Sequence, residues 1–161
     1  MQSFSITSNG LNSGTVDKSN MMTESLLQAL SIFERCLSFD FSAILLNETM
    51  VDPININLPK NWAPLIENPQ MIQNLFRVLS AEIRNQQSTA IKVKALQALQ
   101  HLASVRLNIF ESADKRISYV TNFITEVVKF LQSPALQAVV MADRQLYKEF
   151  IPILLKLQST F

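Results

Sequence analysis

The chain contains one histidine, His101, and one cysteine, Cys36, far apart in sequence. A metal site draws on clustered His, Cys, Asp or Glu, and a disulfide framework needs several cysteines; neither pattern is present. A nucleophile–base pair would have to use His101 or a carboxylate. Glu111, Asp114 and Glu126 show no pairing of the kind that acid–base work requires. His101 falls on the polar face of a helix, where an imidazole is ordinarily a solvated or an interface group. Arg77, Arg84, Lys92, Lys94 and Arg106 suggest a basic strip. However, Lys92 and Lys94 diverge around their helix and Glu82 dilutes the charge, so a nucleic-acid site is not expected. The expectation is a non-enzyme with no catalytic residues, no cofactor and no metal.

One polar alignment does stand out. Lys94, Gln97, His101 and Ser104 recur at helical spacing and form a narrow polar stripe. The helix that positions it is Ser88–Arg106, which has no Gly and no Pro. Ile91, Ala95, Ala98, Leu99, Leu102 and Val105 share one face, and Leu96 and Ala103 widen it to about half the circumference. A helix with that much apolar surface has to be wedged among several neighbours.

Composition sets the frame around it. At 161 residues the chain is one domain's worth and can bury a real core. Only 17% of residues are charged, against the usual quarter or so, which implies a large core or a surface that meets more protein. The net charge of +1 supplies no field for nucleic acid, membrane or a charged substrate. Gly occurs only at Gly10 and Gly14; tight hairpins and phosphate-cradling loops both need it, so an all-helical chain is expected. No apolar run approaches the ~20 residues of a membrane span. Asn47-Glu48-Thr49 has the form of a glycosylation acceptor but lacks the secretory signal that would give it meaning; an intracellular protein is the default.

Taken in order, residues 1–19 read as a flexible lead-in and residues 20–161 as the helical segment. A first helix is expected from about Asn20 to Phe39, with Leu26, Leu30, Phe33 and Leu37 inward. From Ala43 to Asn68 the helical pattern fails. Pro53, Pro59 and Pro64 fall here, Pro69 follows, and Ile54–Leu58 alternates as an extended segment would. Trp62 is expected to pin this stretch to the core. A second helix opens with Asn68 as N-cap and Pro69 at its first position, runs to about Asn85, and forms a hairpin with the central helix, which Ser88 caps. A fourth helix spans about Ser112 to Gln132, with Ile117, Val120, Phe123, Ile124, Val127, Val128 and Leu131 inward. Residues 135–142 are a short helix or an ordered loop. The last helix covers about Asp143 to Gln158, with Leu146, Phe150, Ile153, Leu154 and Leu157 inward and a kink expected at Pro152.

About five paired helices fit a bundle or an α-α superhelix. The wide apolar arc of the central helix favours the second. So does the 44-residue spacing from Pro69 to Ala113, inside the ~40–47-residue period of HEAT and armadillo repeats. The final aromatic, Phe161, suggests a boundary cut from a longer protein.

Three segments then occur in a telling order: Cys36-Leu37-Ser38-Phe39-Asp40-Phe41, Leu58-Pro59-Lys60-Asn61-Trp62, and Leu102-Ala103-Ser104-Val105-Arg106 followed by Phe110. In this order and spacing they resemble the exportin-seven group of the importin-β superfamily, the Ran-binding proteins. Phe123–Gln132 and Tyr147–Leu157 look similar in register; Pro152 and residues 135–142 depart from the pattern. The resemblance spans about residues 24–161 and implies an internal segment from the N-terminal third of a much longer HEAT solenoid. It further implies a nuclear transport receptor that binds protein cargo together with the GTP form of the small GTPase Ran, meets nucleoporins, and shuttles between nucleus and cytoplasm. Neither nucleic acid nor membrane is an expected partner. In such receptors the second helix of each pair lines the concave surface, which would turn Lys94, Gln97, His101 and Ser104 toward the ligand. The competing reading is a HEAT scaffold that organises other proteins without Ran. An exposed apolar end surface, seen as self-association, is expected of either solenoid.

Overall fold

The structure, a computed structural model, describes residues 13–39, 41, 56 and 58–159. Residues 1–12 of the expected lead-in, all of 42–55 and the terminal Phe161 lie outside the described residues.

Six α-helices and three short turns of other helical type account for most of what is described. They are α1 (Ser13–Ser38), α2 (Ala63–Ile66), α3 (Pro69–Ser80), α4 (Ser88–Ala103), α5 (Ala113–Leu131) and α6 (Arg144–Ser159). The turns are 3-10 at Lys60–Trp62 and Leu107–Ile109, and π at Leu136–Met141. The chain is all-α and solenoid-like. Helices α1, α4 and α6 lie side by side in one row, with α4 in the middle; α3 and α5 form a second row, and α3 also packs on α4.

The enclosure of α4 follows from its composition. Ile91, Ala95, Leu96, Ala98, Leu99 and Leu102 are fully buried. Alanines at 95 and 98 let the neighbouring helices approach closely, while the leucines fill the spaces between them. From α1 come Leu30 and Leu37, from α3 Ile72, Leu75, Phe76 and Leu79, and from α6 Leu146, Phe150 and Ile153, all in one core. Phe130 of α5 joins through its ring, 5.3 Å from Phe76 and 5.7 Å from Phe150.

Several boundaries differ from the sequence reading for local reasons. Helix α1 begins at Ser13 rather than near Asn20; once its packed part is formed, each added residue gains a hydrogen bond without a new nucleation cost. Helix α3 opens as expected, with Gln70 N–H donating to Asn68 Oδ1 at 3.0 Å. It stops at Ser80, where Ala81 turns extended, well before Asn85. Ser88 is the first residue inside α4, not its cap; Gln87 holds the cap position without a side-chain bond. Asn85 organises the turn instead, its Oδ1 accepting from Gln87 N–H at 3.0 Å.

The central helix ends at Ala103 rather than Arg106 because the backbone beyond it is used elsewhere. Ile56 forms a parallel bridge with Val105: its N–H donates to Ser104 O at 2.8 Å and its carbonyl accepts from Arg106 N–H at 3.1 Å. Ile56 is therefore extended along the core, as the alternation at 54–58 implied, and Leu58 is buried. Trp62 is half-buried against the core and meets the Phe41 ring at 5.5 Å, which in turn meets Phe39 at 4.8 Å.

In α5 the inward face is only partly the expected one. Phe123 and Val127 are buried and Val120 packs against the core, as expected, but Tyr119 and Phe130 are buried as well, while Ile117, Val128 and Leu131 are exposed. The helix carries two apolar strips side by side, and the aromatic one wins the core. Tyr119 fixes that choice, its hydroxyl donating to Leu102 O at 2.8 Å in the interior with its ring 4.9 Å from Phe110. Residues 136–141 form the π turn, with Val140 fully buried. Helix α6 continues through Pro152 as one element.

Leu99 is fully buried on α4, which packs on three helices, so truncating it leaves a cavity that closes only in part. Leu99→Ala is expected to cost about 2–5 kcal/mol in equilibrium denaturation. A cost under about 0.5 kcal/mol, the range of ordinary surface changes, would mean that α4 is not enclosed.

Candidate functional site: the polar seam on the central helix

Because α4 packs on α1, α3 and α6, several of its polar residues are matched from the neighbouring helices. The matching falls into two sets. Toward α1, Lys94 Nζ donates to Glu34 Oε2 at 3.0 Å and to Gln97 Oε1 at 3.0 Å. His101 Nε2 lies 3.3 Å from Glu34 Oε1. A carboxylate only accepts, so Nε2 carries the hydrogen. Glu34 is thus held between two groups about two helical turns apart, with 14% of its side chain exposed against 33% for Lys94 and 26% for His101.

Toward α6, Gln100 Nε2 donates to the carbonyl of Glu149 at 2.6 Å and to its Oε2 at 2.9 Å. Ser104, buried, donates to Gln100 O at 2.7 Å and accepts from Lys156 Nζ. Near the other end of α4, Thr89 Oγ1 donates to Asp143 Oδ2 at 3.3 Å. Lys94, Gln97 and His101 therefore lie against α1, and Ser104 lies against α6. The four residues are divided between two helix interfaces.

Burial pushes the Glu34 carboxyl up, but the hydrogen bonds from Lys94 and His101, with their charges, outweigh it and hold the group below its ordinary value. For His101 burial dominates. It draws the imidazole down despite the Glu34 carboxylate, and the nearby Lys156 and Lys94 charges act in the same sense as burial. The fold thus favours a neutral His101 hydrogen-bonded to an ionised Glu34.

The basic residues read as a possible strip are dispersed. Lys92 is 7% exposed, and burial lowers its ammonium pKa; Arg84 pairs with Glu82 at 2.8 Å on the surface. Among the described residues no group of His, Cys, Asp or Glu is placed to hold a metal ion.

Sequence inspection missed Glu34. The signal was there: it lies four residues after Leu30 and three before Leu37, so an acid sits on an apolar face, which requires a buried partner. What could not be read was that the partners lie 60 and 67 residues away.

Exportin-7-A of Xenopus laevis is 27% identical over 136 residues, covering 84% of this chain and 12% of that protein. The chain resembles a segment of exportin-7. Human Ran-binding protein 17 is 25% identical over the same share of the chain, and Drosophila melanogaster Ran-binding protein 16 is 23% identical over 82% of it. The chain spans about an eighth of the length of these relatives, 12% for Exportin-7-A and 11% for Ran-binding protein 16. No family model matches the chain, and no solved structure matches it. The exportin-7 resemblance therefore rests on sequence, and it covers most of the helical stack in which the seam sits.

The sign of the pH dependence follows from the two shifts. Both folded pKa values lie below the ordinary ones, 6.5 for His101 and 4.5 for Glu34. The unfolded chain therefore binds more protons on acidification, and stability is full above pH 6.5. The melting temperature is expected to fall in two steps, first below 6.5 through His101 and then below 4.5 through Glu34. His101→Gln keeps a donor near Nε2 and should remove only the upper step; an upper step that survives the substitution would assign it elsewhere. Glu34→Ala leaves the Lys94 and His101 donors without their acceptor and is expected to cost about 1–3 kcal/mol in urea denaturation at neutral pH.

Proposed function

We propose that this chain is a HEAT-type segment of a Ran-dependent nuclear transport receptor, an exportin that carries protein cargo between nucleus and cytoplasm. The observation that carries the reading is the match of 84% of the chain to proteins named exportin-7 and Ran-binding protein. The helix arrangement is compatible with it. Two rows, α1–α4–α6 and α3–α5, stack in the manner of paired repeats, and the helices within a row pack directly on one another.

In this reading the segment contributes shape. A receptor that wraps a GTPase and a cargo needs a curved wall of fixed curvature, and each helix-to-helix register in the wall must be set. The seam on α4 sets two such registers, one against α1 through Glu34 and one against α6 through Gln100 and Ser104. The ligand-facing role of Lys94, Gln97, His101 and Ser104 belongs to the proposal in a narrower form. Ser104 is buried beside Lys156, which leaves Lys94, Gln97 and His101, half-buried along the α1–α4 groove, as the edge a partner would meet. Nucleoporin contacts and shuttling are proposed for the full-length receptor. Its partners are proteins, with no role for nucleic acid, membrane, cofactor or catalysis.

The test is the affinity of the full-length parent for Ran loaded with GTP and, separately, with GDP. The proposal expects binding to the GTP form at least tenfold tighter, about 1.4 kcal/mol. Equal affinity, or none, would move the protein to a HEAT scaffold that works without Ran.

A further inference from the structure

Helix α1 joins the rest of the molecule through one neighbour. The other elements close on each other: α4 packs on α3 and α6, α6 on the π turn at Leu136–Met141, that turn on α3, and α3 also on α5. Opening one contact of this ring leaves its members joined the other way round. Helix α1 has no such second path, because its extensive packing is on α4 alone.

Burial divides the molecule in the same way. Among the described residues of α1, Leu30 and Leu37 are buried, with Leu26, Leu27 and Phe33 half-covered beside them. Met21, Met22 and Ile32 stand in solvent. On the opposite side of α4, helix α6 sinks Leu146, Phe150 and Ile153 into the core, and Phe150 also meets Phe130 of α5. A segment with few buried apolar side chains and one packing partner opens at lower free energy than the core it rests on.

The polar contacts do not forbid that opening. Glu34 reaches Lys94 and His101, whose side chains are 33% and 26% exposed, so water can take over these bonds as α1 lifts. An ion pair this open to solvent adds little to what holds the helix. Lys94 keeps its bond to Gln97 on its own helix. Just past the C-terminal end of α1, Phe41 stacks on Trp62 at 5.5 Å and holds the chain there, which gives α1 a fixed point to swing from.

We propose that α1 is a releasable strap, which leaves α4 as a unit while α3, α4, α5 and α6 stay folded. Release uncovers Lys94, Gln97 and His101 as one open polar face and takes Glu34 away from it. The face that remains is rich in hydrogen-bond donors and has lost the carboxylate they served.

The test is native-state hydrogen exchange of the full chain, read amide by amide where exchange reports the opening equilibrium. Amides from Leu26 to Leu37 are expected to share one protection factor, at least about tenfold below those of α4 and α6. Ile153→Val removes one methyl from the far side of α4. It should lower protection in α4 and α6 by roughly two- to tenfold and leave α1 unchanged, because α1 opens without disturbing that site. Equal protection in α1 and α4, or a loss in α1 that keeps step with α6 on Ile153→Val, would make the stack one cooperative unit and overturn the proposal. A protection that merely falls off toward the N-terminal end of α1 would be fraying and would overturn it too.

Discussion

The structure depends on the enclosure of α4. A helix packed on α1, α3 and α6 leaves little of its surface to water, so each polar group buried on it must find a partner or cost about 1–3 kcal/mol. The consequences spread outward. Glu34 has to sit at the one place on α1 that reaches both Lys94 and His101, and Gln100 has to find both the carbonyl and the carboxylate of Glu149. The apolar contacts would tolerate sliding of α1 or α6 along α4, because leucine on alanine is much the same a turn further along. The polar pairs would not. Packing supplies the stability of the row, and the seam supplies its register.

The ends of α4 show the same constraint acting on the backbone. Beyond Ala103 the helix would carry Val105 and Arg106 past the core. The chain leaves the helix instead and gives its backbone groups to Ile56, in a two-bond bridge. That bridge ties the proline-bearing stretch before α2 to the centre of the molecule. Trp62 adds a second tie, its ring on Phe41 just beyond α1. The chain is thus held at two points between α1 and α2, at Ile56 by hydrogen bonds and at Trp62 by rings.

Much of this was legible in the sequence, and what was not has a physical reason. The apolar face of α4 could be read because only one helical face fits Ile91, Ala95, Ala98, Leu99 and Leu102, and all five are buried. The Asn68–Pro69 start could be read because cap and proline act within four residues. The face of α5 could not, because periodicity alone gives Ile117–Leu131 and Tyr119–Phe130 equal standing. The choice was made by a tyrosine hydroxyl finding a carbonyl on another helix. Lys94, Gln97 and His101 share one side of α4 and Ser104 lies just past its end; their division between α1 and α6 depends on where those helices lie. Local chemistry is written locally; pairing at a distance of 60 residues is not.

The resemblance to exportin-7 and the physics of the seam bear on each other. A long stack of paired helices is stable only through contacts between neighbours, so an error in one helix register is passed to every repeat beyond it. Uniform apolar packing is poorly suited to prevent that. One Lys94–Glu34 ion pair joined by a hydrogen bond from His101, and one amide gripping Glu149, resist it at small cost because each group remains hydrogen-bonded. The fold keeps His101 neutral, so the α1 contact survives as a hydrogen bond to an ionised Glu34 and does not add a third positive charge beside Lys94 and Lys156. A stack of helices that must keep one register from neighbour to neighbour needs joints of this kind, specific in position and modest in energy.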